Sequence, residues 1–136
     1  MRTMRRLESL LMGLAAGGLL LAAGTGASAQ DPAVVNAKTI RVTLENSRVR
    51  VLEAKLQPGE KEAMHSHPAY VVYVIAGGKI RNHGADGKVS DGELETGETV
   101  YREPLTHWAE NIGTTAIHLI LVELKEGLEQ AGGSTP

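Results

Sequence analysis

The sequence predicts an all-β protein, a single antiparallel sandwich or barrel of short strands. Three observations point there. Alternating or continuous apolar stretches recur about every 8–12 residues, turn-forming pairs separate them, and no convincing helical pattern appears after the N-terminal leader. Phenylalanine and cysteine are absent, so the core has to be built from Val, Ile, Leu and Ala.

In chain order, residues 30–38 read as a loose lead-in. Thr39–Glu45 alternates, with Ile40, Val42 and Leu44 on one face, and Val49–Leu56 alternates again after Asn46-Ser47. Pro58-Gly59 marks a turn. Ala63–His67 and Tyr70–Ala76 follow, the second a nearly continuous apolar run suited to a strand buried on both faces. Gly77-Gly78 turns the chain into Lys79–His83, and Asp86-Gly87 reads as a hairpin turn leading to Val89–Leu94. Thr99–Arg102, Leu105–Asn111 and Ala116–Leu124 complete about ten expected strands, and a polar tail occupies residues 126–136.

Residues 1–29 read as a secretory signal peptide. Arg2, Arg5 and Arg6 precede an apolar Leu/Ala/Gly run, and Ala27-Ser28-Ala29 supplies small residues for cleavage before Gln30. The run from Leu10 to Gly24 is short and glycine-interrupted for a membrane span, which needs ~20 apolar residues. Arg5-Arg6 raises twin-arginine export, but Leu7-Glu8-Ser9 matches that signal poorly. Removing 29 of 136 residues takes away three of the 14 Lys+Arg and one of the 16 Asp+Glu. The remaining 107 residues carry a net charge near −4, the wrong sign for a nucleic-acid partner. An exported chain without cysteine suits the bacterial periplasm. A core of this size is thin, so a homodimer is expected to help it.

The chemistry rests on histidines. In Met64-His65-Ser66-His67 the two rings lie two residues apart, on one face of a strand, close enough to share one metal ion. Alone, the pair reads equally as two polar residues at a strand end. His118 sits in an apolar strand, as a satisfied core or interface histidine does, and His83 precedes Gly84 at what reads as an exposed turn. Trp108 faces away from His107 by parity, and Asn111 suits a turn-fixing role. By the same parity Glu62 faces away from His65.

Two longer stretches raise the specificity. Gly59, five residues, His65-x-His67 and a closing Gly77 form one; Gly97, His107 and Asn111 four residues on form the other. Together they resemble the two signature motifs of the cupin superfamily, G-x5-H-x-H-x3,4-E-x6-G and G-x5-P-x-G-x2-H-x3-N, and the likeness covers roughly residues 40–124. It implies a single-domain jelly-roll β-barrel over residues 39–125 and a divalent transition-metal site (Fe, Mn, Ni or Zn) built from His65, His67 and His107. The departures are specific. Tyr70 stands at the family's glutamate position, the loop before it is one residue short, and the second motif is also one residue short, with Pro104 at a glycine position.

Three neutral imidazoles leave an ion its full charge and open positions for water or substrate. Tyr70 then has four readings: a weak fourth ligand, a hydrogen-bond donor to substrate, a general acid or base, or a buried aromatic with a satisfied hydroxyl. The expected function is a metal-dependent enzyme, dioxygenase-like or lyase/isomerase-like, acting on a small oxygen-bearing molecule. The alternative is a periplasmic module that binds a small molecule or the metal without turnover.

Overall fold

The computed structural model describes residues 30–125. The expected signal peptide and the 126–136 tail lie outside them. One helical turn, α1 (Pro32–Val35), precedes nine strands: β1 (Ile40–Glu45), β2 (Val49–Leu56), β3 (His65–His67), β4 (Tyr70–Ala76), β5 (Gly78–Gly84), β6 (Val89–Leu94), β7 (Thr99–Arg102), β8 (Leu105–Asn111) and β9 (Ile117–Leu124). They pair antiparallel in two sheets, β1-β2-β9-β4-β7 and β3-β8-β5-β6. Among the described residues no helix is long and apolar enough to cross a membrane.

The lead-in is not loose. Asp31 caps α1 by accepting from Ala33 N at 2.8 Å, and Pro32 supplies a preset φ in the first turn. The chain is already tied to β3 at Gln30, whose carbonyl accepts from Ser66 N at 3.0 Å. Asn36, just past the turn, is buried beneath the barrel wall.

Period-2 alternation sorts the strands into two faces. In β4, Tyr70, Val72 and Val74 are buried, while Tyr73 and Ile75 are exposed, so this strand is covered on one face rather than two. Its inward residues join Ile40, Leu52, Ala54 and Leu121 in the larger core cluster. A smaller cluster of Leu56, Ile80, Ala109 and Ile117 closes the barrel between the sheets. Asn111 fixes the turn beyond β8: its Oδ1 accepts from Gly113 N, and its Nδ2 donates to the carbonyls of Leu56 and Thr115. The signature glycines have backbone reasons. Gly59 and Gly97 adopt φ of 81° and 89°, and a Cβ on Gly77 would sit 1.9 Å from Leu94 O.

Candidate metal centre

Register brings the two motifs together. In the β3–β8 pair His65 lies directly opposite His107, and His67 stands two residues along on the same face. The ring centroids of His65 lie 4.7 Å from His67 and 4.8 Å from His107, and those of His67 and His107 are 5.5 Å apart. One ligand atom from each ring lies within 4.8 Å of the other two. Behind them opens a cavity of about 760 Å³.

Each of the three rings is held by its δ nitrogen. His65 Nδ1 donates to Ala63 O at 2.8 Å, and Asn36 clamps that peptide by donating to Ala63 O and accepting from Ala63 N. His67 Nδ1 donates to Glu123 Oε1 at 2.6 Å, and His107 Nδ1 faces Asn82 Oδ1 at 3.3 Å. His65 Nδ1 also has the Asn36 amide nitrogen at 3.0 Å, but the shorter contact is to the Ala63 carbonyl. With an oxygen acceptor facing each Nδ1, protons placed there leave the Nε2 lone pairs free. This is how the outer partners of metal-binding histidines set tautomer and ring orientation. Glu123 is held in turn by Arg50, which also pairs with Asp31 at the cap of α1.

The opposite wall carries a polar row across four strands. Arg50 pairs with Glu123, Glu123 with Tyr70, and Tyr70 with Arg102. Tyr70 is buried, its ring 4.6 Å from that of His67 and tilted by 32°. Arg102 lines the cavity and has no carboxylate partner among the described residues.

No protein-family model matches the sequence, and no curated protein matches it. Solved structures do. A cupin domain from Bordetella pertussis Tohama I is 27% identical with a TM-score of 0.58, over 63% of this chain and 91% of that one. A conserved protein with a double-stranded β-helix domain from Klebsiella pneumoniae is also 27% identical, with a TM-score of 0.51 over 65% of this chain and 76% of that one. An RmlC-like cupin family protein from Methanocaldococcus jannaschii, 16% identical over 62% of this chain and 77% of that one, shares the fold at a TM-score of 0.52. The chain belongs to the cupin superfamily.

In this cupin the donor set fits a divalent transition ion. His107 Nε2 is a buried nitrogen without any hydrogen-bond partner, an arrangement that costs free energy unless something binds it. Burial, reinforced by His65 and His67, pushes His107 down to about 3. His65 is also lowered, first by burial. Both rings are therefore neutral near pH 7, the form that ligates. Tyr70 is pushed up to about 12, mainly by burial, so its phenol keeps its proton.

Two expectations need correction. Glu62 does not face away from His65: its side chain is 8% exposed and lines the cavity, with Oε2 at 3.8 Å from His65 Nε2. The parity argument fails because residues 62–64 are not strand; β3 begins only at His65. Burial drives Glu62 up to about 7, opposed in part by the Ala109 N–H. His83 is not an exposed turn residue either. It lies in β5, stacked on Trp108 at 3.6 Å and 3°, with its Nε2 at 3.1 Å from Glu110. Trp108 does face away from His107, as parity predicts.

Several supporting residues were missed from the sequence: Asn36, Asn82, Arg102 and Glu123. Glu123 had a readable signal. It continues the Ile117, Leu119, Leu121 face of β9 and so puts a carboxylate on an otherwise apolar inner stripe.

Proposed function

We propose that this cupin binds one divalent transition-metal ion (Fe, Mn, Ni or Zn) through Nε2 of His65, His67 and His107, and acts as an enzyme on a small oxygen-bearing molecule in the cavity. One observation carries the reading: two buried imidazoles and one half-buried, each with an oxygen facing Nδ1, bring their Nε2 atoms into one cluster. A bound ion would supply Lewis acidity and substrate chelation.

The chain's own groups define the rest. Tyr70, held neutral, donates a hydrogen bond or a proton to a substrate oxygen and does not serve as a phenolate ligand. Arg102, unpaired on the cavity wall, favours a substrate that carries negative charge. The test is elemental analysis of tag-free protein, with oxygen uptake and turnover of candidate oxyacids. Stoichiometric metal, with Tyr70→Phe lowering turnover about 10²-fold or more at unchanged metal content, is the expected result. Stoichiometric metal without any turnover would replace the enzyme by a binding module, and absent metal would remove both.

Two further parts belong to this reading. Periplasmic work is supported by the leader pattern of residues 1–29 and the lack of cysteine; the exported protein should begin at Gln30 by N-terminal sequencing. A homodimer is supported by an apolar row on the outer face of the five-stranded sheet, Leu44, Val51, Val122, Val71 and Tyr101. Leu44 and Tyr101 are half exposed at 50% and 54%. A purely monomeric sedimentation profile at micromolar concentration would refute the dimer.

A further inference from the structure

The motif position for a carboxylate ligand holds Tyr70, yet a carboxylate faces the histidines from elsewhere. Glu62 stands in the irregular segment between the Lys61 bridge to Glu110 and the start of β3. Its N–H donates to Ala109 O at 2.9 Å, which ties the segment to β8 two residues beyond His107. Its side chain is 8% exposed, and its Oε2 lies 3.8 Å from His65 Nε2, the nitrogen left free by the Ala63 hydrogen bond. No lysine or arginine lies within ion-pair distance of it among the described residues.

Distance and charge point the same way. Two donors bound to one ion at ~2.0–2.1 Å each stand ~2.9 Å apart at a right angle and ~4.2 Å apart in line. The 3.8 Å between Glu62 Oε2 and His65 Nε2 falls inside that range, while Glu62 stands outside the 4.8 Å cluster of the three rings, so its side chain has to swing toward His67 and His107 to join them on one ion. A buried carboxylate without a cation is costly, and a divalent ion at the three Nε2 atoms is the counter-charge this one lacks. Glu60 is excluded from the role: its Oε2 accepts from Gln57 N at 2.7 Å in the preceding turn.

We propose that Glu62 is the carboxylate ligand of the metal centre, reaching it from the segment before β3 in place of the strand position that Tyr70 occupies. The proposal rests on the three histidines being metal ligands. The set becomes three imidazoles and one carboxylate, which lowers the net charge of the ion and its ligands from +2 to +1. An oxygen ligand also shifts preference toward Fe(II) and Mn(II) relative to an all-nitrogen set. Tyr70 is then left free to act on the substrate.

The experiment measures Co(II) and Mn(II) affinity and the Co(II) absorption spectrum in the mature protein and in Glu62→Gln, Glu62→Ala and Glu60→Gln. Glu62→Gln keeps the side chain's shape and removes a buried charge, so it should fold with an unchanged circular-dichroism spectrum. Both Glu62 variants are expected to weaken Mn(II) binding at least about 10-fold and to alter the Co(II) bands, while Glu60→Gln leaves both unchanged. Glu62 variants with parental affinity and an unaltered Co(II) spectrum would overturn the proposal. Failure of the underlying histidine reading looks different: the parental protein itself would take up no Co(II).

Discussion

The five histidines divide into two groups that use their ring nitrogens in opposite ways. His65, His67 and His107 engage oxygen acceptors through Nδ1 and leave Nε2 free inside the barrel. His83 and His118 lie on the outside, and each commits Nε2 to a glutamate, Glu110 at 3.1 Å and Glu53 at 2.8 Å. The residue type is the same, but the partner at the other nitrogen decides what the ring can bind. An Nε2 already hydrogen-bonded to an outer carboxylate is not free to bind an ion, whereas three unbonded Nε2 atoms facing one cavity are all available to one.

The sharpest way to break the comparison is to exchange the groups' fates. His107→Ala should lower metal affinity at least about 100-fold, while His118→Ala and His83→Ala keep full stoichiometry by elemental analysis. Metal loss in the outer variants would erase the distinction. A smaller effect is expected one bond further out. Glu123→Gln keeps an acceptor for His67 but removes the negative charge, and should cost about 10- to 100-fold in metal affinity by titration.

The next contrast is in stability. Metal at 100 times its dissociation constant should stabilise the protein by about 2.7 kcal/mol, raising its melting temperature. His83→Ala should lower the melt through loss of the Trp108 stack, yet leave the metal-induced rise intact; a vanished rise would tie the outer pair to the site.

The smallest effect concerns the outer carboxylate Glu53. Hydrogen bonds from His118, then Arg41 and Lys55, hold it down to about 2 from 4.5. A depressed carboxyl stabilises the fold above its unfolded value and loses that contribution as pH falls through the folded one. The parental protein should therefore weaken from about pH 4.5 toward pH 2, and Glu53→Gln should flatten that slope. Urea midpoints at pH 5 and pH 3 measure it, and parallel slopes would refute the assignment.

Much of this was legible in one dimension. His65 and His67 share a face because strand side chains alternate, and the spacing of glycines and His107 placed the third ring by resemblance. Trp108 and Asn111 behave as their local chemistry predicts. Glu62 was misread because parity applies only within a strand, and the strand starts three residues later. His83 was misread because its stacking partner lies 25 positions away, and a turn-like Gly84 gives no hint of it.

The sequence by itself determined the strand order along the chain and the alternating faces, because these follow from local geometry, and it pointed to the three rings through the resemblance of its motifs. It also encodes the cap at Asp31-Pro32, a carboxylate N-cap followed by proline at the first helical position. Only the tertiary structure decided which oxygens meet which Nδ1, that Glu62 turns inward, and that Tyr70 and Arg102 share a row with Glu123. Those facts depend on contacts between segments up to 56 residues apart. The register behind them is set by the packing of the whole barrel, and no local pattern encodes it.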